Sequence, residues 1–189
     1  TRKEKAAETK RKIFETAVSL IKEKGYNNIT ISEICKTAGV AKGSFYVHYK
    51  SKEDIVRESY YADMGEYIQQ RYNVFVEANT AATYDERIIY FMNLELEFAE
   101  YAGYEVTCLA YTLPSEHIKR RAFTQILHNE VQNKIAQNHL ELSADEIFCY
   151  LESFVRGVMA TWCFSNNSFS IAEYGRKYVP LIVHSAFAN

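Results

Sequence analysis

The sequence predicts an all-α protein of about nine helices, with an N-terminal three-helix helix-turn-helix domain and a larger helical C-terminal domain. Three observations lead to this fold class. Only two prolines and seven glycines occur among the 189 residues, and apolar residues recur at intervals of three and four, as they do on one face of an α-helix. S/T-x-x-E sequences also mark four of the helix N-termini. They are Thr30 to Glu33, Thr83 to Glu86, Ser143 to Glu146 and Ser170 to Glu173.

The helices can be placed in order along the chain. The first is predicted from about Glu4 to Lys24, where Gly25 ends it in the manner of a left-handed C-cap. Pro180 is expected to kink or interrupt the last helix, because it lacks a backbone donor and crowds the preceding turn. The remaining helices are predicted at about 31–38, 42–48, Ser51 into the seventies, 83–101, 104–112, 115–138, 143–165 and 170–187.

The composition is that of a globular protein. Apolar residues make up 48% of the chain, enough for a full core. No apolar run approaches the roughly 18 residues of a membrane span. The basic start continues into "IFETAV", where an acid interrupts the apolar stretch that a signal peptide needs. We therefore expect a cytoplasmic protein without a membrane partner.

The net charge of −2 conceals an asymmetry. Residues 1–60 contain 13 Lys and Arg against 8 Asp and Glu, a net of +5, whereas residues 61–189 contain 9 against 16, a net of −7. Such a split favours a nucleic-acid-binding N-terminal end attached to a different kind of domain.

Motifs for metal binding and catalysis are missing from the sequence. The cysteines form no C-x-x-C pair, which favours buried free thiols over a zinc or redox motif. His117, His128 and His139 are eleven residues apart, about 16 Å per step along a helix, so they cannot share one metal. Neither H-E-x-x-H nor G-x-S-x-G occurs. We expect no enzyme activity, cofactor or metal site. The four cysteines are Cys35, Cys108, Cys149 and Cys163.

A helix-turn-helix is predicted around Ala38-Gly39-Val40, because Gly39 can take the positive φ of a tight turn. In the helix that follows, Phe45 and Tyr49 are four residues apart and are expected to pack inward. The opposite side would offer hydrogen-bond donors to base edges and phosphates. That outward set comprises Lys42, Ser44, Tyr46 and His48.

The segment from Lys12 to Ser59 resembles the DNA-binding domain of the tetracycline repressor (TetR) family. The likeness covers the Gly-Tyr pair before the second helix, Thr30 as its cap, and the runs A-G-V, K-G-S, F-Y-x-H-Y and K-S-K-E. The family implies a nine-helix repressor that binds a double-stranded DNA operator as a homodimer and is usually released by a small-molecule effector. The predicted domains are residues 1–50 for DNA binding, and 51–189 for effector binding and dimerisation.

The resemblance also implies roles for individual residues. The residues expected to face bases are Ser32, Lys42, Ser44 and Tyr46, and Gly43 would allow the backbone to approach DNA. Phosphate contacts would fall to Thr30, His48 and Lys52. Two positions depart from the family: Ala41 stands where a Ser or Thr cap is usual, which would cost about 1 kcal/mol, and Cys35 stands where alanine is usual.

The basic N-terminal residues have two interpretations. They could reach phosphates or a minor groove, or they could form a solvated helix face. They are Arg2, Lys3, Lys5, Lys10, Arg11 and Lys12.

The last two helices carry apolar arcs of roughly 180°. This width predicts that part of each helix packs on a second subunit, as in the family's dimer, while a deeper core within one chain is the alternative. The residues assigned to the subunit interface are Leu151, Val155, Val158, Met159, Trp162, Tyr178, Leu181 and Ile182.

Glu95 falls near the centre of an apolar helical arc, where an unpaired carboxylate is expensive to bury. One hypothesis places it in an aromatic pocket for a cationic or hydrogen-bond-donating ligand. The alternative is that Glu95 pairs with Arg or Tyr from another helix, or reaches solvent. The proposed pocket residues are Phe91, Glu95, Phe98, Tyr111, Phe123 and Tyr150.

Together these features predict a ligand-responsive transcriptional regulator, and we expect it to be a repressor. A regulator of the same type that lacks a small-molecule ligand and answers to a protein partner is the alternative. The effector and the operator sequence cannot be identified from the residues.

Overall fold

The computed structural model of the protein describes residues 1–112 and 123–188, and these residues form nine α-helices and one 3₁₀ turn, with no strand among them. The predicted all-α fold is confirmed, and the helix bounds agree within a few residues, except that the helix predicted at 115–138 begins at Thr124 in the described part of the chain. The predicted helical residues 115–122, including His117, lie outside the described residues. The helices are α1 (Arg2–Lys24), α2 (Ile31–Ala38), α3 (Lys42–His48), α4 (Lys52–Ala78), α5 (Tyr84–Ala102), α6 (Tyr104–Thr112), α7 (Thr124–Gln137), α8 (Ala144–Phe164) and α9 (Ile171–Ala186), and the 3₁₀ turn is Tyr26–Asn28.

The chain divides into two compact units, unit 1 from Thr1 to Ala62 and unit 2 from Asp63 to Asn189. Helix α4 runs through the division. Unit 1 contains α1, α2, α3 and the first residues of α4. Unit 2 contains the rest of α4 and helices α5 to α9.

The predicted helix caps form, but only one of the four is reciprocal. The Thr83 side chain accepts from the Glu86 amide while the Glu86 carboxylate accepts from the Thr83 amide at 2.7 Å, a complete capping box. At α2 the Thr30 hydroxyl accepts from the Glu33 amide, but the Glu33 carboxylate pairs with Lys24 at 2.6 Å instead. Ser143 and Ser170 likewise accept from the amides three residues on.

Two glycines end helices with positive φ, in different conformations. Gly39 has φ 67° and ψ 35°, the left-handed helical conformation predicted for the turn between α2 and α3. Gly25 has φ 80° and ψ 150°, so the predicted left-handed C-cap is wrong. Its conformation is an extended one with positive φ that side-chain-bearing residues rarely adopt.

Helix α9 is continuous through Pro180, so the proline does not interrupt it. Pro180 still lacks the N–H that would bond the carbonyl one turn earlier. The helix is held against α5 and α8 along its buried side, which includes Ile171, Val179 and Val183. This packing offsets the missing hydrogen bond.

Unit 1 has a small core in which α3 is held against α1 and α2. Phe45 is completely buried at its centre. The other buried members of this cluster are Ile13, Ala17, Leu20, Ile29, Ile34, Cys35, Tyr49 and Ile55.

Unit 2 is built around α5, which is buried over most of its circumference and packs against α6, α7, α8 and α9. Its closest neighbour is α9, where Gly175 faces Asn93 and Leu96 of α5. A side chain at Gly175 would collide with both residues, so the glycine permits the close packing of these helices.

Within the described residues, α8 has the length and composition to cross a membrane, with a mean hydropathy of 1.2 over its most apolar window. It packs, however, against α5, α6, α7 and α9 in unit 2. Its buried residues lie on one side and include Leu151, Val155 and Trp162. We interpret α8 as a core helix, because such helices are equally apolar.

Candidate nucleic-acid interface and effector region

The turn between α2 and α3 is closed by backbone hydrogen bonds. The Val40 amide donates to the Cys35 carbonyl at 3.0 Å, and the Gly39 amide donates to the Lys36 carbonyl at 3.3 Å. Phe45 and Tyr49 follow on the inward side of α3, with 0% and 3% of their surface exposed. The predicted inward packing of these two aromatic residues is confirmed, and it fixes which side of α3 faces solvent.

The outer side of α3 is an exposed strip formed by Lys42, Gly43, Tyr46 and Val47. These positions are spaced by one and four residues, so they lie along one helix face. Of the other predicted outward residues, Ser44 and His48 are half-buried beside the strip. The strip is thus a narrow polar and apolar surface, about two helical turns long.

Val47 was not assigned to DNA binding from the sequence, yet it is 77% exposed. A branched apolar side chain at that position can contact a thymine methyl group in the major groove. The signal was present in the sequence: once Phe45 and Tyr49 face inward, the helical spacing forces Val47 outward.

Gly43 has no neighbouring atom within 4 Å of the position that a Cβ would occupy. Packing within the chain therefore does not require glycine here. The backbone of Gly43 does not require glycine either, since among the described glycines only Gly25, Gly39 and Gly103 have a positive φ. A glycine on this surface is consistent with the close approach of an external partner.

The N-terminus of α3 has no side-chain cap, as predicted from Ala41. The Ser44 and Phe45 amides both donate to the Ala41 carbonyl, at 2.9 and 3.3 Å. The first two amides of the helix, those of Lys42 and Gly43, have no acceptor within the helix.

The two predicted residues at the start of α2 take different positions. Thr30 is exposed, and its hydroxyl is engaged in capping α2, where it accepts from the Glu33 amide at 3.2 Å. Ser32 is exposed in the first turn of α2. Its hydroxyl is available to a partner on the surface of unit 1.

Lys52, the first residue of α4, is half-buried. Its ammonium donates to the carbonyls of Tyr26 at 2.8 Å and Ile29 at 3.0 Å, and lies 4.1 Å from the centre of the Tyr26 ring. The Tyr26 hydroxyl in turn hydrogen-bonds Glu53. Burial, and then this hydrogen bond, raise the pKa of Tyr26. Lys52 thus has backbone partners inside unit 1, and its phosphate contact stays a prediction.

The basic residues of α1 have mixed surroundings. Lys10 forms an ion pair with Glu58 at 2.9 Å, and Arg11 pairs with Glu8 and Glu15 at 2.9 and 3.1 Å. The residues nearer the N-terminus, Arg2, Lys3 and Lys5, are exposed, as is Lys12. Ion pairs within unit 1 favour the solvated-face interpretation for Lys10 and Arg11.

In unit 2, three predicted pocket residues share one buried side of α5. Phe91, Glu95 and Phe98 are 0%, 3% and 1% exposed. The Phe91 ring packs against Tyr72 of α4 at 6.1 Å, and the Phe98 ring packs against Tyr67 of α4 at 5.3 Å. Glu95 lies between the two phenylalanines along the helix. Glu95 is therefore buried and does not reach solvent, and the ligand pocket proposed around it stays a prediction.

The other three predicted pocket residues lie outside α5, at different places in unit 2. Tyr111 is half-buried on α6, Phe123 is buried against Gly65, and Tyr150 is 45% exposed on the outer side of α8. Tyr150 points outward because Leu151 and Glu152 occupy the inner side of that turn. Neither of two cavities in unit 2, of about 510 and 650 Å³, is lined by any of the six residues.

A second buried carboxylate was not predicted from the sequence. Glu130 of α7 is 8% exposed, and one of its oxygens accepts from the Tyr72 hydroxyl at 2.7 Å. Arg87 of α5 lies 4.0 Å from the other oxygen. Burial, and then the Glu130 hydrogen bond, raise the pKa of Tyr72. This polar cluster connects α4, α5 and α7. No spacing within the sequence indicates it, since its members lie on three helices.

The residues predicted for the subunit interface separate into a buried and an outer group. Five of them are at most 7% exposed within the single chain, where they pack the core of unit 2. They are core residues of the single chain, and their place at a subunit interface stays a prediction. Only Tyr178, Leu181 and Ile182 of α9 retain exposed surface, and Leu181 is 59% exposed. The five buried residues are Leu151, Val155, Val158, Met159 and Trp162.

The outer side of α8 carries its own exposed aromatic residues. Tyr150 is 45% exposed, Phe164 is 79% exposed, and Gly157 lies between them with open space around its Cβ position. On α9, Tyr174 is 37% exposed. Together with Leu181, Tyr150, Phe164 and Tyr174 are the exposed large apolar residues of the last two helices.

Unit 1 has the geometry of a helix-turn-helix DNA-binding domain. Two short helices are joined by a left-handed glycine, and the second presents an exposed strip while its aromatic residues anchor it from behind. Residues 13–58 also match the family model described as bacterial regulatory proteins, tetR family. The N-terminal unit therefore carries a tetR-family domain, and the family resemblance inferred from the sequence is confirmed.

Individual regulators and a solved regulator structure are also similar to this chain. The regulator AcrR of Shigella flexneri is 24% identical over 96% of this chain and 90% of its own length. The fatty acid metabolism regulator protein of Bacillus subtilis is 39% identical over 69 residues, which are 36% of each chain. The match thus spans about a third of that relative. Among solved structures, Thermus thermophilus FadR in complex with lauroyl-CoA has a TM-score of 0.72 at 17% identity, over 95% of this chain and 96% of that one.

Proposed function

We propose that the chain is a transcriptional repressor that binds an inverted-repeat operator as a homodimer. The observation that carries the proposal is the exposed strip Lys42, Gly43, Tyr46 and Val47, which the buried Phe45 and Tyr49 hold on the surface of unit 1. Lysine and tyrosine supply donors to base edges and phosphates, and valine supplies an apolar contact to thymine. The net charge of +5 in residues 1–60 favours DNA as the partner.

The homodimer is part of this proposal. Two helix-turn-helix units read two half-sites about 34 Å apart, which requires a second copy of the chain. The exposed apolar residues of α8 and α9, above all Phe164 and Leu181, support a subunit contact through these two helices. A DNA-binding protein acts where the DNA is, so we place it in the cytoplasm of a bacterial cell. No enzymatic step belongs to the proposal.

The proposed regulation is release from the operator by a small molecule bound in unit 2. The support is chemical: Glu95 is a carboxylate buried between two phenylalanines of α5, although it lines neither of the two cavities of unit 2. The FadR structure with lauroyl-CoA makes fatty acyl-CoA thioesters the first effectors to test. A ligand that binds the DNA-free conformation better shifts the population away from operator binding.

The test is fluorescence anisotropy of labelled DNA that flanks the protein's own gene, titrated against an unrelated duplex at several salt concentrations. The proposal expects tight, salt-sensitive binding with a clear preference for an inverted repeat. Equal weak affinity for both duplexes, over several flanking sequences, would contradict it.

The effector is tested in the same assay by adding lauroyl-CoA and stearoyl-CoA, with free coenzyme A as the control. Release by an acyl-CoA, together with a raised melting temperature, would support this ligand class. The Glu95→Gln variant should respond less to any effector that the carboxylate contacts while its operator affinity stays unchanged. If no small molecule releases the DNA, control by a protein partner becomes the better interpretation.

A further inference from the structure

Two cysteines meet where α6 packs against α8. Cys108 lies in the middle of α6, and Cys163 lies near the end of α8. The Cys108 and Cys163 side chains lie close enough to interact where the two helices pack together. The pair is distant in sequence and forms no motif, so only the fold reveals it.

Tyr104 connects the two helices beside the cysteines. Its hydroxyl donates to the carbonyl of Cys163 itself at 2.6 Å, and its ring packs edge-on against Trp162 at 5.3 Å. Tyr104 and Cys108 are four residues apart and therefore share one side of α6. The tyrosine thus anchors α6 one turn before Cys108, on the side that faces Cys163.

The two thiols differ in access to solvent. Cys163 is 7% exposed, whereas Cys108 is half-buried. Burial, and then the contact with Cys108, raise the pKa of the Cys163 thiol to about 12. Cys163 therefore stays protonated near neutral pH, and Cys108 is the sulfur that a small oxidant in solution can reach first.

We propose that Cys108 and Cys163 form an oxidisable dithiol site, which a peroxide converts into a disulfide linking α6 to α8. The proposal goes beyond the proposed function and does not depend on it, since it concerns a modification within unit 2. The remaining cysteines do not compete inside the chain: Cys35 lies in the core of unit 1, and Cys149 is exposed on α8.

The reaction has two steps. The Cys108 thiolate attacks one oxygen of hydrogen peroxide, the O–O bond breaks, and Cys108 becomes a sulfenic acid as hydroxide leaves and takes up the proton lost by the thiol. The Cys163 sulfur then attacks the Cys108 sulfur, the S–O bond breaks, and the hydroxyl group leaves as water with the Cys163 proton. Two thiols lose two electrons in total, and one peroxide is reduced to two waters.

A disulfide here would close a long loop of the chain that contains α7. Closing such a loop restricts the unfolded state more than the folded state. The oxidised protein should therefore unfold at a higher temperature than the reduced protein. Dithiothreitol should reverse the difference.

The experiment uses the full chain carrying Cys35→Ser and Cys149→Ser, which keeps only the candidate pair. After treatment with hydrogen peroxide, the expected result is loss of both alkylatable thiols and an intact mass lower by two hydrogen atoms. The matched control adds Cys108→Ser and should keep one sulfur that forms no intramolecular bond. Retention of both thiols, or a mass that only gains oxygen, would overturn the proposal.

A second measurement needs no substitution. Peptide mapping of the oxidised natural chain without reduction should give a linked pair of peptides that contain Cys108 and Cys163, in a monomeric band on a denaturing gel. If the linked peptides instead contain Cys149 from two chains, or if Cys108 and Cys163 are recovered in separate unlinked peptides, the assigned pair is wrong.

Discussion

Lys52 is hydrogen-bonded to the backbone carbonyl of Ile29 at 3.0 Å, which joins the start of α4 to the residue before the Thr30 cap of α2. The same ammonium donates to the Tyr26 carbonyl at 2.8 Å. A lysine that resembles a phosphate-binding residue in sequence therefore also stabilises the unit that would bind DNA.

Replacing Lys52 with Met should destabilise the protein. The thioether keeps the apolar stem but cannot donate to the two carbonyls, and hydrogen bonds from charged groups contribute about 1.5–3 kcal/mol. Thermal and urea unfolding measure the loss. If Lys52 serves mainly as a phosphate contact, the variant will instead keep its stability and reduce the salt slope of DNA binding by about one.

Lys42→Ala provides the comparison for Lys52. Lys42 is exposed at the start of α3, so its removal should change the free energy of unfolding by less than about 0.5 kcal/mol. Discrimination between operator and non-operator DNA should fall by about 1–3 kcal/mol if Lys42 reads a base edge. Competition binding with base-substituted duplexes measures this, and unchanged discrimination would remove Lys42 from the interface.

Gly43→Ala should separate folding from DNA binding. The added methyl group meets open space, and alanine in place of glycine favours a helix by up to about 1 kcal/mol. The variant should thus be as stable as the natural chain, or slightly more stable. Operator affinity should nevertheless fall tenfold or more, about 1.4 kcal/mol, because the methyl group occupies the surface that DNA would approach. Undiminished affinity would show that this surface stays free of DNA.

Leu181→Glu should disrupt the proposed dimer. Leu181 is 59% exposed on α9, and a charge there would be desolvated in a subunit contact. Light scattering after size exclusion should then report a monomer with weakened binding to the inverted repeat. Val74→Glu is the matched control, because Val74 is 66% exposed on α4 and should leave the oligomeric state unchanged. Equal behaviour of the two variants would exclude the α9 surface.

Gly175→Ala should destabilise unit 2. A Cβ there would lie 2.7 Å from the Leu96 Cδ1 and 2.8 Å from the Asn93 Oδ1. Forcing a methyl group into such a contact costs about 1–3 kcal/mol. Urea unfolding should give a lower midpoint for this variant than for Gly65→Ala, whose Cβ would lie 3.3 Å from Phe123. A midpoint at or above that of the natural chain would mean that α5 and α9 can separate without loss.

Local patterns predicted the helices and the helix-turn-helix well. Interactions within a few residues of the chain determine the turn at Gly39 and the cap at Thr30. They also determine the inward packing of Phe45 and Tyr49. Such short-range rules depend on helix geometry alone. For the same reason the missing cap at Ala41 was visible in the sequence.

These short-range rules do not predict which residues of different helices contact each other. An apolar arc of 180° predicts that half of the α8 surface is buried. It does not predict whether residues of the same chain or of a second subunit bury it. Leu151 and Met159 proved to belong to the core of unit 2, and Tyr150 to the outer side. Glu130 with Tyr72, and the thiol pair, likewise arise from residues that only the folded chain brings together.

The uncapped start of α3 leaves the first turn of the proposed recognition helix without a side-chain hydrogen bond. The amides of Lys42 and Gly43 have no acceptor within the helix, whereas the Tyr49 amide at the other end donates to the Phe45 carbonyl at 2.9 Å. Amide hydrogen exchange should therefore be fast at the first turn of free α3 and slow near Phe45. Ordering that turn would then oppose DNA binding and lower the affinity for every DNA sequence by the same amount. The difference in affinity between DNA sequences would depend on the side chains of α3 alone.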